Sequence, residues 1–171
     1  MPNSQPLVVT ENGLRSFACS PAAVVVLVVD DKERLLVGYH KTRQRWEAVS
    51  GVLEARETIL DGAMRELCEE MGPAVRVRPL GVLHASTFRY DDNAQFMISV
   101  TYLMAYKGGD IVPGDDMGGA GYRWLALDDL VSGQASVGIP REQWLLRRAI
   151  EMSRLWAREE VQLQPSLVFG G

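Results

Sequence analysis

Among the charged side chains between positions 57 and 70 are Glu57, Arg65, Glu66, Glu69 and Glu70. On a helix of about 100° per residue, the last three share one side at spacings of three and four, so their carboxylates become neighbours. Like charges so placed repel by roughly 0.2–0.5 kcal/mol per pair, and Glu69 and Glu70 fall in the last turn, where the helix dipole disfavours anions. A divalent cation held between the three removes both penalties. Oxygen-only ligands select a hard ion such as Mg2+ or Mn2+ over zinc. The competing reading is a solvated acidic helix face that binds nothing.

The helix has clear limits. Thr58 is a good N-cap with Asp61 three residues on, and Gly72 followed by Pro73 is a strong stop, so the helix is predicted from Ile59 to Met71. Leu60, Met64, Leu67 and Met71 form its predicted buried stripe with Cys68 alongside, which leaves the three glutamates on a surface the fold does not need. Gly62 lies one turn before Glu66 and is read as room for a ligand, since glycine inside a helix costs about 1 kcal/mol relative to alanine.

As a pattern, the segment 51–72 reads Gly51, five residues, Glu57, seven residues, then Arg65-Glu66-Leu67-Cys68-Glu69-Glu70-Met71-Gly72. It resembles the signature box of the Nudix hydrolases at every charged and glycine position, with Pro73 in the final apolar slot. The resemblance implies that Glu66 and Glu70 are the principal metal ligands, joined by the backbone carbonyl of Ser50. It gives Glu69 a share of the metal or the role of the base that takes a proton from water. Glu57 and Arg65 become the pair that locks loop to helix, with Glu57 also able to reach a metal.

Three departures from the family pattern bear on function. Val49-Ser50 replaces the usual Pro-Gly before Gly51, and Arg56 stands where a second glycine is usual, either to clamp a phosphate or to face solvent. The family glutamate expected shortly before Trp124 is missing. Residues 115–121 offer Asp115 and Asp116 instead, which makes Asp116 a second candidate for base and substrate contact. Tyr39, Phe88 and Tyr90 stand near strand ends where a nucleobase could stack, although aromatic residues in strands usually serve the core. His40 and His84 form no metal-ligand spacing with a cysteine.

The elements that must position these groups follow from periodicity. Residues 22–29 are an uninterrupted apolar run, the sign of a strand covered on both faces, and 34–40 pairs with it after a turn. Residues 46–49 lead into the box, further strands are expected over 75–87, 96–106 and 122–127, and a helical turn at 128–131. Pro140 is read as the first residue of a long helix to about Glu160, with Leu145, Ala149, Met152 and Trp156 on its buried side. Strands interleaved with helices predict an α/β chain with a mixed sheet and helices on both faces. The Nudix resemblance implies the same arrangement, an α/β/α sandwich.

With 171 residues, 47% of them apolar, the chain suits one domain with its own core, assigned to 21–160 between an N-terminal extension 1–20 and a tail 161–171. The tail is expected either to be disordered or to cross to a second subunit of a homodimer. No basic, apolar and cleavage-site sequence opens the chain, and no apolar run would span a bilayer, so a soluble cytoplasmic protein without a membrane partner is expected. Two cysteines, Cys19 and Cys68, are read as reduced thiols. A net charge of −4 with no basic patch excludes long nucleic acids as substrates.

The resemblance implies Mg2+-dependent hydrolysis, with Mn2+ as substitute, of the pyrophosphate bond in a nucleoside diphosphate linked to another moiety. The alternative is a non-catalytic Nudix module that senses a nucleotide or metabolite, but such modules tend to lose box carboxylates and this chain keeps all of them. An isoprenoid diphosphate isomerase shares the fold, yet it needs a cysteine in the loop where this chain has Val49-Ser50.

Overall fold

The computed structural model of the chain describes residues 7–92, 94, 96–119 and 121–156. Two short strands, β1 (Leu7–Val9) and β2 (Ser16–Ala18), pair as a hairpin sheet of their own within the N-terminal extension. The spine of the molecule is β3 (Ala22–Val29). Along one edge it runs parallel to β8 (Met97–Gly108), in register from Ala22↔Ile98 to Val29↔Ala105.

The other edge of β3 is shared by two antiparallel partners. β6 (Val49–Val52) covers its first half, from Ala23↔Val52 to Val26↔Val49, and β4 (Arg34–His40) meets it at Val29↔Leu35. β4 also carries β5 (Arg45–Glu47) and β9 (Tyr122–Ala126), while β7 (Arg76–Phe88) lies outside β8. One parallel pair among antiparallel ones makes the seven-stranded sheet mixed.

Alternation along β3 divides the core in two. Val24, Val26 and Val28 pack toward α1 (Ile59–Met71), against Ala63, Leu67 and Met71. Leu27 and Val29 pack on the opposite face against Leu127 and Leu130 of α2 (Leu127–Ser132) and Leu145, Leu146, Ala149 and Ile150 of α3 (Gln143–Trp156). The molecule is therefore the α/β/α sandwich expected, with β3 covered on both sides.

The structure corrects several local expectations. The segment 46–49 that leads into the box falls in two strands, β5 and β6, separated at Ala48. Pro140 does not open the long helix, which starts at Gln143. The Gly138 amide donates to the Trp46 carbonyl (2.8 Å) and the Ala48 amide to that of Ile139 (3.0 Å), so the chain before Pro140 follows β5 and turns into the helix only later. The expected helix end near Glu160 and the tail 161–171 lie outside the described residues. Cys19 and Cys68 are both free and exposed.

The buried stripe of α1 is also rotated from its expected position. Met64 is 38% exposed and Cys68 is at the surface, whereas Glu66 and Glu70 are buried beside Leu67 and Met71. The loop before α1 folds over the glutamate side of the helix, so that side is an interior one. Gly62 belongs to the same contact. A Cβ there would lie 2.2 Å from Leu53 Cδ2, so the glycine admits the loop rather than a ligand.

Candidate active site

Local chemistry fixes both ends of α1. The Thr58 hydroxyl accepts the Asp61 amide (3.2 Å) and the Asp61 carboxylate accepts the Thr58 amide (3.1 Å), a complete capping box. At the other end Gly72, with φ of 99°, donates its amide to Cys68 and lies against the Val112 backbone, where a side chain would collide.

Arg65 is the hub of the site. Its Nε and Nη2 donate to the two oxygens of Glu57 (2.7 and 3.1 Å), Nη2 also donates to the Val52 carbonyl (3.0 Å), and Nη1 donates to Glu66 (2.8 Å) and Glu69 (2.9 Å). Glu57 in turn accepts the Glu54 amide (2.8 Å). One guanidinium thus ties the loop, the end of β6 and the helix together, and a bidentate fork is the strongest form of such a tie. The Arg65 hydrogen bond is the main cause holding the Glu57 pKa below the usual carboxylate value. The hydrogen bond to Glu57 likewise raises that of Arg65.

Glu66 and Glu70 behave differently because they are buried, 7% and 3% exposed. Desolvation raises the pKa of both, for Glu70 to about 8. Glu70 accepts one backbone hydrogen bond, from the Ser50 amide (3.1 Å), and feels repulsion from Glu66, Asp116 and Asp115. Gly51 leaves space for Glu66, since a Cβ at that position would sit 1.9 Å from the carboxylate.

A 3-10 turn (Asp115–Met117) brings in two more acids. Its backbone is docked on both sides: the Lys41 amide donates to the Asp116 carbonyl (3.0 Å), Lys41 Nζ to that of Asp115 (2.8 Å), and the Gly114 amide to that of Glu70 (3.1 Å). Met117 is fully buried against Gly38, where a Cβ would be only 2.8 Å away. Asp115 has φ of 41°, a strained conformation for a residue other than glycine.

Behind the turn stands His40, 4% exposed. The Arg43 amide donates to its Nδ1 (3.2 Å), and its Nε2 lies 3.5 Å from Asp116 Oδ2. Nε2 has no hydrogen-bond partner among the described residues, a situation that typically costs a buried polar group about 1–3 kcal/mol.

Several of these groups line an open cleft of about 1260 Å3. Ser50, Gly51, Arg65, Glu66, Glu69, Glu70, Asp115 and Asp116 line it, whereas Glu57 stands outside the lining. Phe88 and Tyr90 also line it. Tyr39 does not: it packs edge-on against Trp46 at 5.2 Å and faces a smaller cleft. Arg56 is exposed and outside the cleft lining, with φ of 72°, the backbone conformation that explains the glycine usual in the family.

Sequence reasoning missed other lining residues. Arg43 and Arg45 both pair with the fully buried Glu47, Arg43 at 2.5 Å, and both guanidiniums border the cleft. His84, in edge contact with Trp144 at 4.8 Å, joins Ser86, Ser99 and Thr101 on the cleft wall. Positions 84 and 86 on β7 and 99 and 101 on β8 alternate, so a period-2 pattern of polar groups was the available signal there.

Whether these residues suit a metal is a question of donor chemistry. In the conformation described, Arg65 holds Glu66 and Glu69, and among the described residues no three His, Cys, Asp or Glu groups converge on one point. The donors nonetheless fit a hard divalent cation. Two carboxylates are buried with too few hydrogen bonds, three more flank them, and the missing side chain at Gly51 admits the Glu66 carboxylate.

Comparison with known proteins agrees with the geometry. The NUDIX domain model matches residues 20–147, and the chain belongs to the NUDIX family. A curated relative, the CMP-5'-(N-acetyl-N-hydroxy-3-aminopropyl)phosphonate hydrolase of Streptomyces rubellomurinus, is 30% identical over 122 residues, which is 66% of this chain and 55% of the relative. The chain thus spans about half the length of that relative. A NUDIX-family hydrolase from Clostridium perfringens superposes with a TM-score of 0.60 at 19% identity, covering 78% of this chain and 96% of the other. A bifunctional NMN adenylyltransferase/ADP-ribose pyrophosphatase from Francisella tularensis, solved with AMP and a Mn ion, gives 0.56 at 20% identity, covering 80% and 43%. At these identities the two structures establish the fold.

Proposed function

We propose that this protein hydrolyses the pyrophosphate bond of a nucleoside diphosphate linked to another moiety, with Mg2+ as cofactor and Mn2+ as substitute. The observation that carries this reading is that Glu66, Glu69, Glu70, Asp115 and Asp116 line one cleft large enough for a nucleotide. Carboxylates alone would repel such an anion. A divalent cation bound there would neutralise phosphate oxygens and lower the pKa of a water molecule.

Glu66, Glu70 and Glu69, with the Ser50 carbonyl, are the proposed metal holders. Glu57 and Arg65 set the position of the loop against the helix. Two carboxylates are available to take the proton from water: Glu69, which Arg65 engages at 2.9 Å, and Asp116, which no cation engages among the described residues. Phe88, Tyr90 and Trp144, in the lining of the same cleft, offer apolar surface to the nucleoside. The names of the relatives support the substrate class, one acting on a CMP-linked phosphonate and another bound to AMP and Mn.

The test is a panel of nucleoside triphosphates, nucleotide sugars, ADP-ribose and dinucleoside polyphosphates, assayed with Mg2+ and Mn2+ for released products. Metal-dependent cleavage of at least one member is expected. Binding of nucleotides without turnover of any would favour a sensor instead.

A further inference from the structure

We propose that His40 is a positioning residue that holds the Asp116 carboxylate toward the acidic cluster, so that Asp116 rather than Glu69 takes the proton from water. This rests on the hydrolytic reading above.

Three observations converge on it. First, the tautomer of His40 is fixed. A backbone amide can donate only to a ring nitrogen without a proton, so the 3.2 Å hydrogen bond from the Arg43 amide leaves Nδ1 bare and puts the single proton on Nε2. Secondly, that Nε2–H is sealed from solvent and unsatisfied among the described residues, and the group it faces is Asp116 Oδ2 at 3.5 Å. A buried donor kept without a partner calls for an explanation, and Asp116 is the acceptor at hand.

Thirdly, the geometry leaves the imidazole little choice. His40 is the last residue of β4, and the next residue, Lys41, grips the same turn twice, through its amide and its ammonium group. Met117 locks the turn from beneath. The backbone of Asp116 is therefore fixed, and only its half-exposed side chain has freedom to swing. A small rotation closes the 3.5 Å gap into a hydrogen bond. With Oδ2 held by His40, Oδ1 is left to accept a proton on the cleft side, where Glu66 and Glu70 stand. Glu69 has no comparable support, because its one ion pair points it back at Arg65.

The experiment has two arms. In the first, 15N–1H multiple-bond spectra of the full labelled chain, wild type and Asp116→Ala, report the His40 tautomer without any substrate. An Nε2–H tautomer is expected, with an Nε2 resonance that moves in D116A. In the second, kcat and KM are measured for H40Q, H40L and D116A with ADP-ribose and Mg2+.

Gln places an N–H donor near the position of Nε2, while Leu places none, and both lose the acceptor for the Arg43 amide. H40L should therefore lose about 10- to 100-fold in kcat with KM little changed, H40Q should stay within about threefold of wild type, and the double variant H40L/D116A should be no slower than D116A. An Nδ1–H tautomer, an Nε2 signal indifferent to D116A, or H40Q as slow as H40L overturns the proposal. An intact His40–Asp116 contact in a protein that does not cleave ADP-ribose supports the positioning by His40, counts against that substrate, and sends the kcat comparison to a panel member that is cleaved; cleavage of none overturns the base role. Turnover retained with the contact absent counts against this proposal alone.

Discussion

The Arg65 guanidinium meets the Glu57 carboxylate edge to edge, Nε to Oε1 at 2.7 Å and Nη2 to Oε2 at 3.1 Å, while the same group reaches the Val52 carbonyl, Glu66 and Glu69. Five bonds from one planar fork cannot be copied by an ammonium group of equal charge. Arg65→Lys should therefore lower kcat/KM by about 10- to 100-fold, since a misplaced supporting group costs that much even when it is not itself reacting. Steady-state kinetics with saturating Mg2+ decide it. Wild-type rates in R65K would mean that charge alone matters at this position.

Burial of Glu70 makes the stability of the metal-free protein depend on pH. Its pKa stands near 8 in the fold against 4.5 for the free side chain, so folding takes up a proton at pH values between the two. The folded state then binds more protons than the unfolded one, and stability falls as pH rises from about 5 to 8. A gap of one pH unit between folded and unfolded values is worth about 1.4 kcal/mol, so the loss should reach a few kcal/mol. Glu70→Gln keeps an acceptor for the Ser50 amide without the charge. It should flatten the profile and be more stable than wild type at pH 8 without metal. Saturating Mg2+ should restore wild type at that pH. Urea denaturation across the range is the measurement, and parallel profiles for the two proteins would contradict the assignment.

What the sequence disclosed about this protein was what depends on nearby residues. The limits of α1 came out as expected because the Thr58 cap and the Gly72-Pro73 stop act within one turn. β3 was legible because burial on both faces leaves an unbroken apolar run. The candidate carboxylates were legible because their spacing is fixed by the helix they stand on.

Features made by distant contacts were not legible. Nothing near Met64 says that a loop covers the glutamate side of α1 and turns Met64 outward. Gly62 answers to Leu53, Pro140 to the edge of β5, and His40 to an aspartate far along the chain. Tyr39 was aromatic and near a strand end, yet its ring found Trp46 instead of the cleft.

Gly51 gives a direct test of the space beside Glu66. A methyl group there would overlap the Glu66 carboxylate at 1.9 Å, and because that side chain is buried it cannot simply swing into solvent. Gly51→Ala should weaken Mg2+ binding by about 10- to 100-fold, as the loss of a metal-supporting contact does, while the circular dichroism spectrum stays that of the folded protein. Calorimetric titration with Mg2+ and Mn2+ reads the change. Unaltered affinity would place the metal away from Glu66.

The rotated face of α1 predicts an order of stabilities that the apolar pattern alone would miss. Leu67 is 1% exposed between the helix and β3, so Leu67→Ala removes buried methyl groups and leaves a cavity, at a cost of about 2–5 kcal/mol. Met64 occupies the same expected stripe but is 38% exposed, and it belongs to neither core cluster. Met64→Ala also gains helix propensity, so its net effect should stay within about 1 kcal/mol. Denaturant melts of the two variants at one pH, with EDTA present to keep metal binding out of the comparison, distinguish the faces. Equal losses would mean that Met64 is packed, which would put the glutamates back on an open surface.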